Sequence, residues 1–335
     1  MSKKLFTIGP VEVMEDVRQV MARPMITHRC KEYRQLHEGI VEKMRKVLDT
    51  DMDFLLVGGS ASVFLEACIR NGVHYLDITG EIAVFELAQA LGEQARRAGV
   101  LLCPGVGFDV VPTDCVAVAL REALPGATRL ALGFDSRGGM SPGTARTSVE
   151  GLAQGGRIRR EGRLVPVPLA WRTRRIDFGD GEKLAMTIPW GDVSTAFHST
   201  GIQDIEVYLP ASPRLVARLK RLNWVRPLLG LPPVQGLLKR RIGKTVRGPG
   251  AARRAATPTF VWGEAADDTG RTVTARIKVA NGYDLTVHAA IGIALRVLEM
   301  HRVAGHFTPA QLVGHEYVTR LPGSGPLHIE ADGAG

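Results

Sequence analysis

From Phe54 to Ile78 the chain reads as apolar run, small-residue loop, helix, apolar run, and this order constrains the fold more than any other feature. Phe54-Leu-Leu-Val57 is short enough for a buried strand, and Gly58-Gly-Ser-Ala-Ser62 follows it. A helix from Val63 to about Asn71 then stops at Gly72, and Val73 to Ile78 reads as the next strand. Strand, helix, strand implies a parallel pair joined by a right-handed crossover. The alternation continues. Glu81 to Ala98 is amphipathic and ends at Gly99, Val100 to Cys103 is a strand closed by Pro104-Gly-Val-Gly107, and Thr113 to Leu124 is helical. Upstream, Val11 to Met21 and Lys31 to Leu48 read as helices; in the second, Tyr33, Leu36, Ile40, Met44 and Val47 recur at helical spacing.

From Thr128 the pattern changes to glycine-punctuated alternating segments, such as Thr128 to Phe134 and Ala185 to Ile188. Thr259 to Ala266, Asp267-Asp-Thr-Gly270 and Arg271 to Val279 form a β-hairpin signature. Leu285 to Met300 is an apolar helix. The reading is α/β: residues 1–127 build a parallel-sheet domain, and residues 128–323 a mixed sheet-and-helix (α+β) domain with an insertion at 210–255. Residues 324–335 are expected to be a flexible tail.

Charge is concentrated in that insertion. No Asp or Glu occurs between Val207 and Gly263, whereas 12 Lys and Arg lie from Arg214 to Arg254. That exceeds the net charge of the whole chain, +9, so the remainder is mildly acidic. Leu215, Leu219 and Leu222 share a helical face beside Arg214, Arg218, Lys220 and Arg221, and Trp224, Leu228, Leu229, Leu231, Leu237 and Leu238 add apolar content. Such a mixture suits a peripheral membrane or acidic-partner contact; a solvated excursion with an internally packed face, or a homodimer contact, uses the same residues. Aromatic interleaving is too sparse for nucleic acid. No apolar run reaches the roughly 18 residues of a membrane span, and the start lacks a secretory pattern. Cys30, Cys68, Cys103 and Cys115 are scattered without CxxC spacing, as in buried free thiols of a cytoplasmic protein.

Several positions invite chemistry. Gly58, Gly59, Ser60 and Ser62 precede a helix and could hold a phosphate through backbone N–H groups and hydroxyls; equally, Ser62 could simply cap the helix. Thr79 and Gly80, and Gly105, Gly107 and Phe108, follow expected strands, where ligands of open α/β sheets bind. Thr79, Asp109 or Thr113 could instead cap the following helices. His198, Glu81, Asp109 and Asp192 are candidate proton carriers. There is no HExxH, paired CxxC, G-x-S-x-G or P-loop, so metal catalysis and serine hydrolysis have no support.

Longer motifs carry a resemblance. Ala67-Cys-Ile-Arg-Asn-Gly-Val-His-Tyr-Leu-Asp-Ile-Thr-Gly-Glu81, Pro104-Gly-Val-Gly-Phe-Asp-Val-Val-Pro-Thr-Asp114, Gly143-Thr-Ala-Arg-Thr147, Ile188-Pro-Trp-Gly-Asp-Val-Ser-Thr195 and Gly282-Tyr-Asp-Leu-Thr286 resemble the saccharopine dehydrogenase-like oxidoreductases, including the trans-acting enoyl reductases. The resemblance covers residues 73–323 in order. It implies a partial Rossmann-like parallel sheet, a substrate and dimerisation domain, and NADP or NAD as cofactor. That family begins with a glycine-rich nucleotide turn; no G-x-G-x-x-G occurs here. Instead Leu5-Phe-Thr-Ile-Gly-Pro-Val-Glu-Val13, Arg23-Pro-Met-Ile-Thr-His-Arg29 and Gly58-Gly-Ser-Ala-Ser62 resemble the start of a class V aminotransferase, where the last loop holds pyridoxal phosphate. The chain thus reads as a chimera joined near residue 72. The region that carries that family's catalytic lysine is missing, and Lys183, Lys244 and Lys278 lie in unrelated contexts.

The expected activity is NAD(P)-dependent hydride transfer to or from a C=C, C=O or C=N bond of a small-molecule, lipid-like substrate. A catalytically inactive chimera that binds a partner, and an aminotransferase fragment using pyridoxal phosphate, are the alternatives.

Overall fold

Two neighbouring strands show why the first half folds as a layered sheet. His74-Tyr-Leu76 and Leu101-Leu-Cys103 are buried at every position, as parallel strands covered on both faces must be. Successive residues alternate between faces. Tyr75 and Leu102 join one cluster with Phe64, Leu65, Cys68, Val84, Ala88 and Ala95. Leu76, Leu101 and Cys103 join a second, larger one with Cys115, Val116 and Leu120.

The computed structural model describes residues 5–6, 38–39, 42–43, 61–136, 149, 151–231, 233–236, 238, 257–300 and 302–331. In chain order its elements begin β1 (Leu5–Phe6), α1 (Ala61–Arg70), β2 (His74–Leu76), α2 (Ile82–Ala90), α3 (Gly92–Arg97), β3 (Leu101–Cys103) and α4 (Val111–Ala123). Next come β4 (Arg129–Ser136), β5 (Gly156–Arg160), β6 (Arg163–Val167), β7 (Thr173–Asp177), β8 (Glu182–Thr187), α5 (Asp192–Thr200) and β9 (Asp204–Pro210). They end with α6 (Pro213–Leu222), α7 (Arg226–Leu229), β10 (Thr259–Ala266), β11 (Thr272–Val279), α8 (Gly282–Glu299), β12 (Gly305–His306), α9 (Pro309–Val313), α10 (Tyr317–Arg320) and β13 (His328–Ala331).

The first sheet is parallel throughout, in the order β1-β2-β3-β12. The second is mixed, in the order β13-β11-β10-β4-β9-β5-β6, with β8 also on β9 and β7 on β8. Its β4–β9 pair is parallel and the other pairs are antiparallel. The expected α/β class, with a parallel sheet followed by a mixed one, is the class observed. Helix α4 joins them. Nine of its residues are buried, and it packs on β10, β11 and α5.

Several local expectations are corrected. The stretch from Glu81 to Ala98 is two helices meeting at Leu91. Gly92 weakens the helix there and lets β12 approach, since a Cβ at Gly92 would lie 3.0 Å from the His306 Cβ. Helix α1 spans Ala61–Arg70, so position 62 lies inside the helix instead of before it. Helix α4 begins at Val111, with Val110 at the cap and Pro112 in the first turn; Asp109 and Thr113 cap nothing, and Thr113 donates its hydroxyl to the Val110 carbonyl. The tail expected from residue 324 contains β13, because the outer edge of β11 offers it unpaired backbone groups. On its side away from β3, β2 pairs with β1; Phe54 to Val57, expected beside it, lies outside the described residues. So do Val11 to Met21, Cys30, Gly58, Gly59 and Ser60, and most of Lys31 to Leu48.

The β10–β11 hairpin forms as expected. Asp267 Oδ1 accepts from the Thr269 and Arg271 N–H groups at 2.9 and 3.1 Å, which closes the turn.

Gly133, in the middle of β4, has no room for a side chain. A Cβ there would sit 2.8 Å from the Tyr208 carbonyl oxygen and 3.2 Å from the buried Phe178 ring. Gly133→Ala is expected to cost about 1–3 kcal/mol, read as a lower urea midpoint; an unchanged midpoint would contradict the packing.

Candidate functional site

The carboxyl ends of β2 and β3 are held together by one side chain. Asp77 Oδ1 accepts the Thr79 N–H at 3.0 Å and the Gly105 N–H at 2.9 Å, and its Oδ2 accepts the Tyr75 hydroxyl at 2.5 Å. The Val106 N–H donates to the Asp77 carbonyl at 2.8 Å. One carboxylate therefore sets the relative position of the two loops that follow the strands. Burial pushes its pKa up, and the three hydrogen bonds pull it back only in part, leaving it at about 6.

These loops bring together most of the residues singled out from the sequence. Thr79 Oγ1 accepts the Glu81 N–H at 3.1 Å, which orders the residue just before α2; the Glu81 side chain is exposed. Gly80 packs on Asp109: a Cβ there would be 2.9 Å from Asp109 Oδ2. Gly105 (φ +76°) is pressed against the Phe85 ring at 2.7 Å by the same measure, and Gly107 against Thr286 and Ile78. Each of the three glycines thus has a packing reason to lack a side chain. Phe108 donates its N–H to Thr286 Oγ1 at 3.0 Å, which fixes the loop to the first turn of α8. Its ring meets Phe134 edge-on at 5.2 Å, and Phe134 meets Trp190 at 4.9 Å.

Asp109 stands out chemically. Half-buried, it has no hydrogen-bond partner for its carboxyl among the described residues, and burial raises its pKa to about 7. A carboxyl poised there can both release and take up a proton near neutrality. Gly191, just before α5, closes the same space, since a Cβ there would be 3.1 Å from Val110 and 3.3 Å from the Gly80 carbonyl oxygen. The neighbouring Trp190 indole N–H is buried without a partner.

Asp192 is placed differently. It is fully buried at the start of α5, and neither carboxyl oxygen has a hydrogen-bond partner. Burial raises its pKa well above the usual range, Asp114 and Asp109 push the same way, and the nearby Thr113 hydroxyl opposes them. A carboxyl in that setting is held protonated and sealed from solvent. Asp114, also fully buried, accepts the Ala310 N–H at 2.8 Å and so tethers the start of α9 to α4.

His198 lies six residues along α5 from Asp192, roughly 9 Å of helix, and joins a separate polar cluster. Its Nε2 is 3.5 Å from Glu86 Oε1, and its ring is 5.9 Å from that of His306. Glu86 Oε1 also accepts from Arg159 Nη2 at 2.5 Å and from the Ser194 hydroxyl at 2.6 Å. Arg159, only 4% exposed, donates further to the Val193 and Gly162 carbonyls and lies over the Phe197 ring. Burial raises the Glu86 pKa, but His198, Ser194 and the Arg159 charge outweigh it and hold the carboxyl at about 2. Burial, helped by His198, lowers His306 to about 4. This cluster ties α2 of the first sheet to β5 and α5 of the second.

Sequence reading missed Asp77 and Asp114 as organisers, although both sat inside quoted motifs, and missed Glu86, Arg159 and His306 altogether. Glu86 looks like any solvated helix residue, and Arg159 like one of many arginines. Their pairing spans 73 positions, so no local pattern signals it. Among the described residues no group of three or more His, Cys, Asp and Glu could hold a metal ion. Cys68, Cys103 and Cys115 are buried free thiols.

No family model matches the chain. It is 30% identical over 115 residues to a saccharopine dehydrogenase-like oxidoreductase of Homo sapiens, covering 31% of this chain and 27% of that protein. It is 41% identical over 70 residues to an uncharacterized aminotransferase of Methanocaldococcus jannaschii, covering 21% and 18%. The matched parts therefore span less than a third of these relatives. Among solved structures, apo saccharopine dehydrogenase (L-Glu forming) of Saccharomyces cerevisiae aligns over 88% of this chain and 87% of its own, with a TM-score of 0.50 and 10% identity. At that identity the likeness is one of fold: a parallel Rossmann-like sheet with a mixed sheet.

Asp77 and Glu86 each carry a prediction. Asp77→Ala strands two backbone donors and a tyrosine hydroxyl, and is expected to cost about 3–5 kcal/mol. Asp77→Asn keeps an acceptor for the loop N–H groups and is expected to cost clearly less; equal urea midpoints for the two variants would refute the tie. Glu86 is ionised further down in pH than its ordinary 4.5, so it contributes stability above that value which is lost as pH falls toward 2. Glu86→Gln is expected to flatten that acid limb in urea titrations between pH 5 and about 2.

Proposed function

We propose that this chain is an oxidoreductase that places a nicotinamide cofactor, NADP or NAD, against the loops following β2 and β3. Asp109 is the observation that carries the reading: an unpartnered carboxyl near neutrality at the ligand-binding end of a parallel sheet. The donors and acceptors fit the nicotinamide end of such a cofactor. Trp190 offers a free indole N–H, and Asp109 and the loop carbonyls offer acceptors. A bound nicotinamide would supply or accept the hydride. Asp109 would hold the accompanying proton at its carboxyl oxygen and give it to the substrate atom beside the reduced carbon. Asp77 would fix the loop that carries Asp109, and the Phe108–Phe134–Trp190 aromatic run would keep water from one side of the space. The identity to a saccharopine dehydrogenase-like oxidoreductase and the shared fold support this class. A C=C, C=O or C=N bond in a lipid-like substrate, as in the trans-acting enoyl reductases, is the finer form of the proposal.

One observation favours a second reading, a folded scaffold without turnover: at Gly80, Gly105 and Gly107 the space left by the missing side chain is filled by the protein itself. A pyridoxal phosphate enzyme is disfavoured at Lys183, whose ammonium is paired with Asp135 and Asp180.

Titration with NADPH and NADH, followed by nicotinamide fluorescence, separates the first two; no binding at millimolar cofactor would leave the scaffold standing. With a panel of enoyl, carbonyl and imine compounds, reduction should need protonated Asp109 and so fall as pH rises through about 7. Asp109→Asn should retain cofactor binding, lose that inflection and lower turnover by about 10²–10⁴-fold.

A further inference from the structure

The surface that follows β9 differs from the rest of the molecule. Helix α6 is capped by Ser212, whose side chain accepts the Leu215 N–H at 3.2 Å. Its inner side is used up: Val216 is buried, and Leu219 packs with it against Ala170 and Met186. The leucine face expected from the sequence is therefore partly internal. Arg214, Arg218, Lys220 and Arg221 remain exposed. The chain then turns at Asn223, which is clamped from both sides: Leu169 donates its N–H to Asn223 Oδ1 at 2.8 Å, and Asn223 Nδ2 donates to the Leu169 carbonyl at 3.1 Å. The next residue, Trp224, is 91% exposed. Val225, Leu228 and Leu231 follow at 43%, 56% and 47%, and Leu215 on α6 stands at 41%. An anchored turn thus holds a whole indole and several branched side chains in water, an arrangement that marks an interaction surface.

Charge identifies the occupant. There is no acidic residue from 207 to 263. Arg214, Arg218, Lys220, Arg221 and Arg226 form no ion pair among the described residues. A second copy of the same surface would set these cations against each other. An anionic bilayer offers phosphates for the cations and, just beneath them, an interfacial layer in which tryptophan is favoured and leucine is accommodated. We infer that residues 213–231 dock on an anionic lipid surface, with Trp224 and Leu228 entering the interface and Arg214, Arg218, Lys220 and Arg221 lying against the phosphates.

The test is sedimentation of the full chain with vesicles of phosphatidylcholine alone and of phosphatidylcholine with phosphatidylglycerol. Binding is expected only to the anionic vesicles and should weaken with added salt. Replacing Arg214, Arg218 and Arg221 together by Gln should weaken it on the order of a hundredfold, at roughly fivefold per charge. Trp224→Ser should weaken it and remove a blue shift in tryptophan emission. All four positions are exposed, so both variants should keep the wild-type melting temperature; Leu228→Ser provides a further variant should either fail to fold. No anionic preference, or equal binding by wild type and variants, overturns the proposal. So does a dimer abolished by Trp224→Ser without any vesicle binding, which would assign the surface to self-association.

Discussion

Asp77 is buried without a counter-charge, and the shape of the candidate site depends on it. Its carboxylate is solvated by protein alone: two backbone N–H groups from different loops and one tyrosine hydroxyl. Burial outweighs those three bonds, so its pKa rises to about 6 rather than falling. The ionised group is thus held at a cost that the fold covers elsewhere. What it provides is geometry, because without it two buried N–H donors on separate loops would have no common acceptor. Gly80, packed on Asp109, and Gly105, packed on Phe85, can sit where they do only while those loops keep this spacing.

The second constraint joins the halves. Arg159 reaches from the mixed sheet to Glu86 on a helix of the parallel sheet, and at 4% exposure it depends on that carboxylate and two carbonyls for its solvation. Such a pair adds little net stability, since desolvation offsets most of the attraction, but breaking it leaves a buried charge. The cluster therefore acts more as a locator than as glue. It fixes how α2 meets α5 and β5.

Elements with strong local signals were legible in the sequence. The β10–β11 hairpin followed from its alternation and its Asp267 turn, the buried β2 and β3 from their short apolar runs, and α8 from its apolar length. The break at Leu91 was not, because the helical period runs through it and the cause is β12, more than two hundred residues away in the chain. The site was legible as loops but not as roles. Asp109 and Asp192 look alike in sequence, yet one is half-buried and near neutrality, and the other is sealed and held protonated. His198 follows the Ile188 to Thr195 motif and was one of the candidate proton carriers, and it is the approach of Glu86 at 3.5 Å that places it at the junction of the two halves.

Strand β12 has a consequence for how the molecule is made. It closes the parallel sheet against β3, with Gly305 opposite Leu101 and His306 opposite Leu102. During synthesis β2 and β3 leave the ribosome long before β12, and for that interval the outer edge of β3 presents unpaired backbone groups. At roughly 5–20 residues per second the delay lasts about ten to forty seconds. The nascent parallel sheet must survive as an open edge until nearly the whole mixed sheet has been translated, so its completion is coupled to the synthesis of the other half.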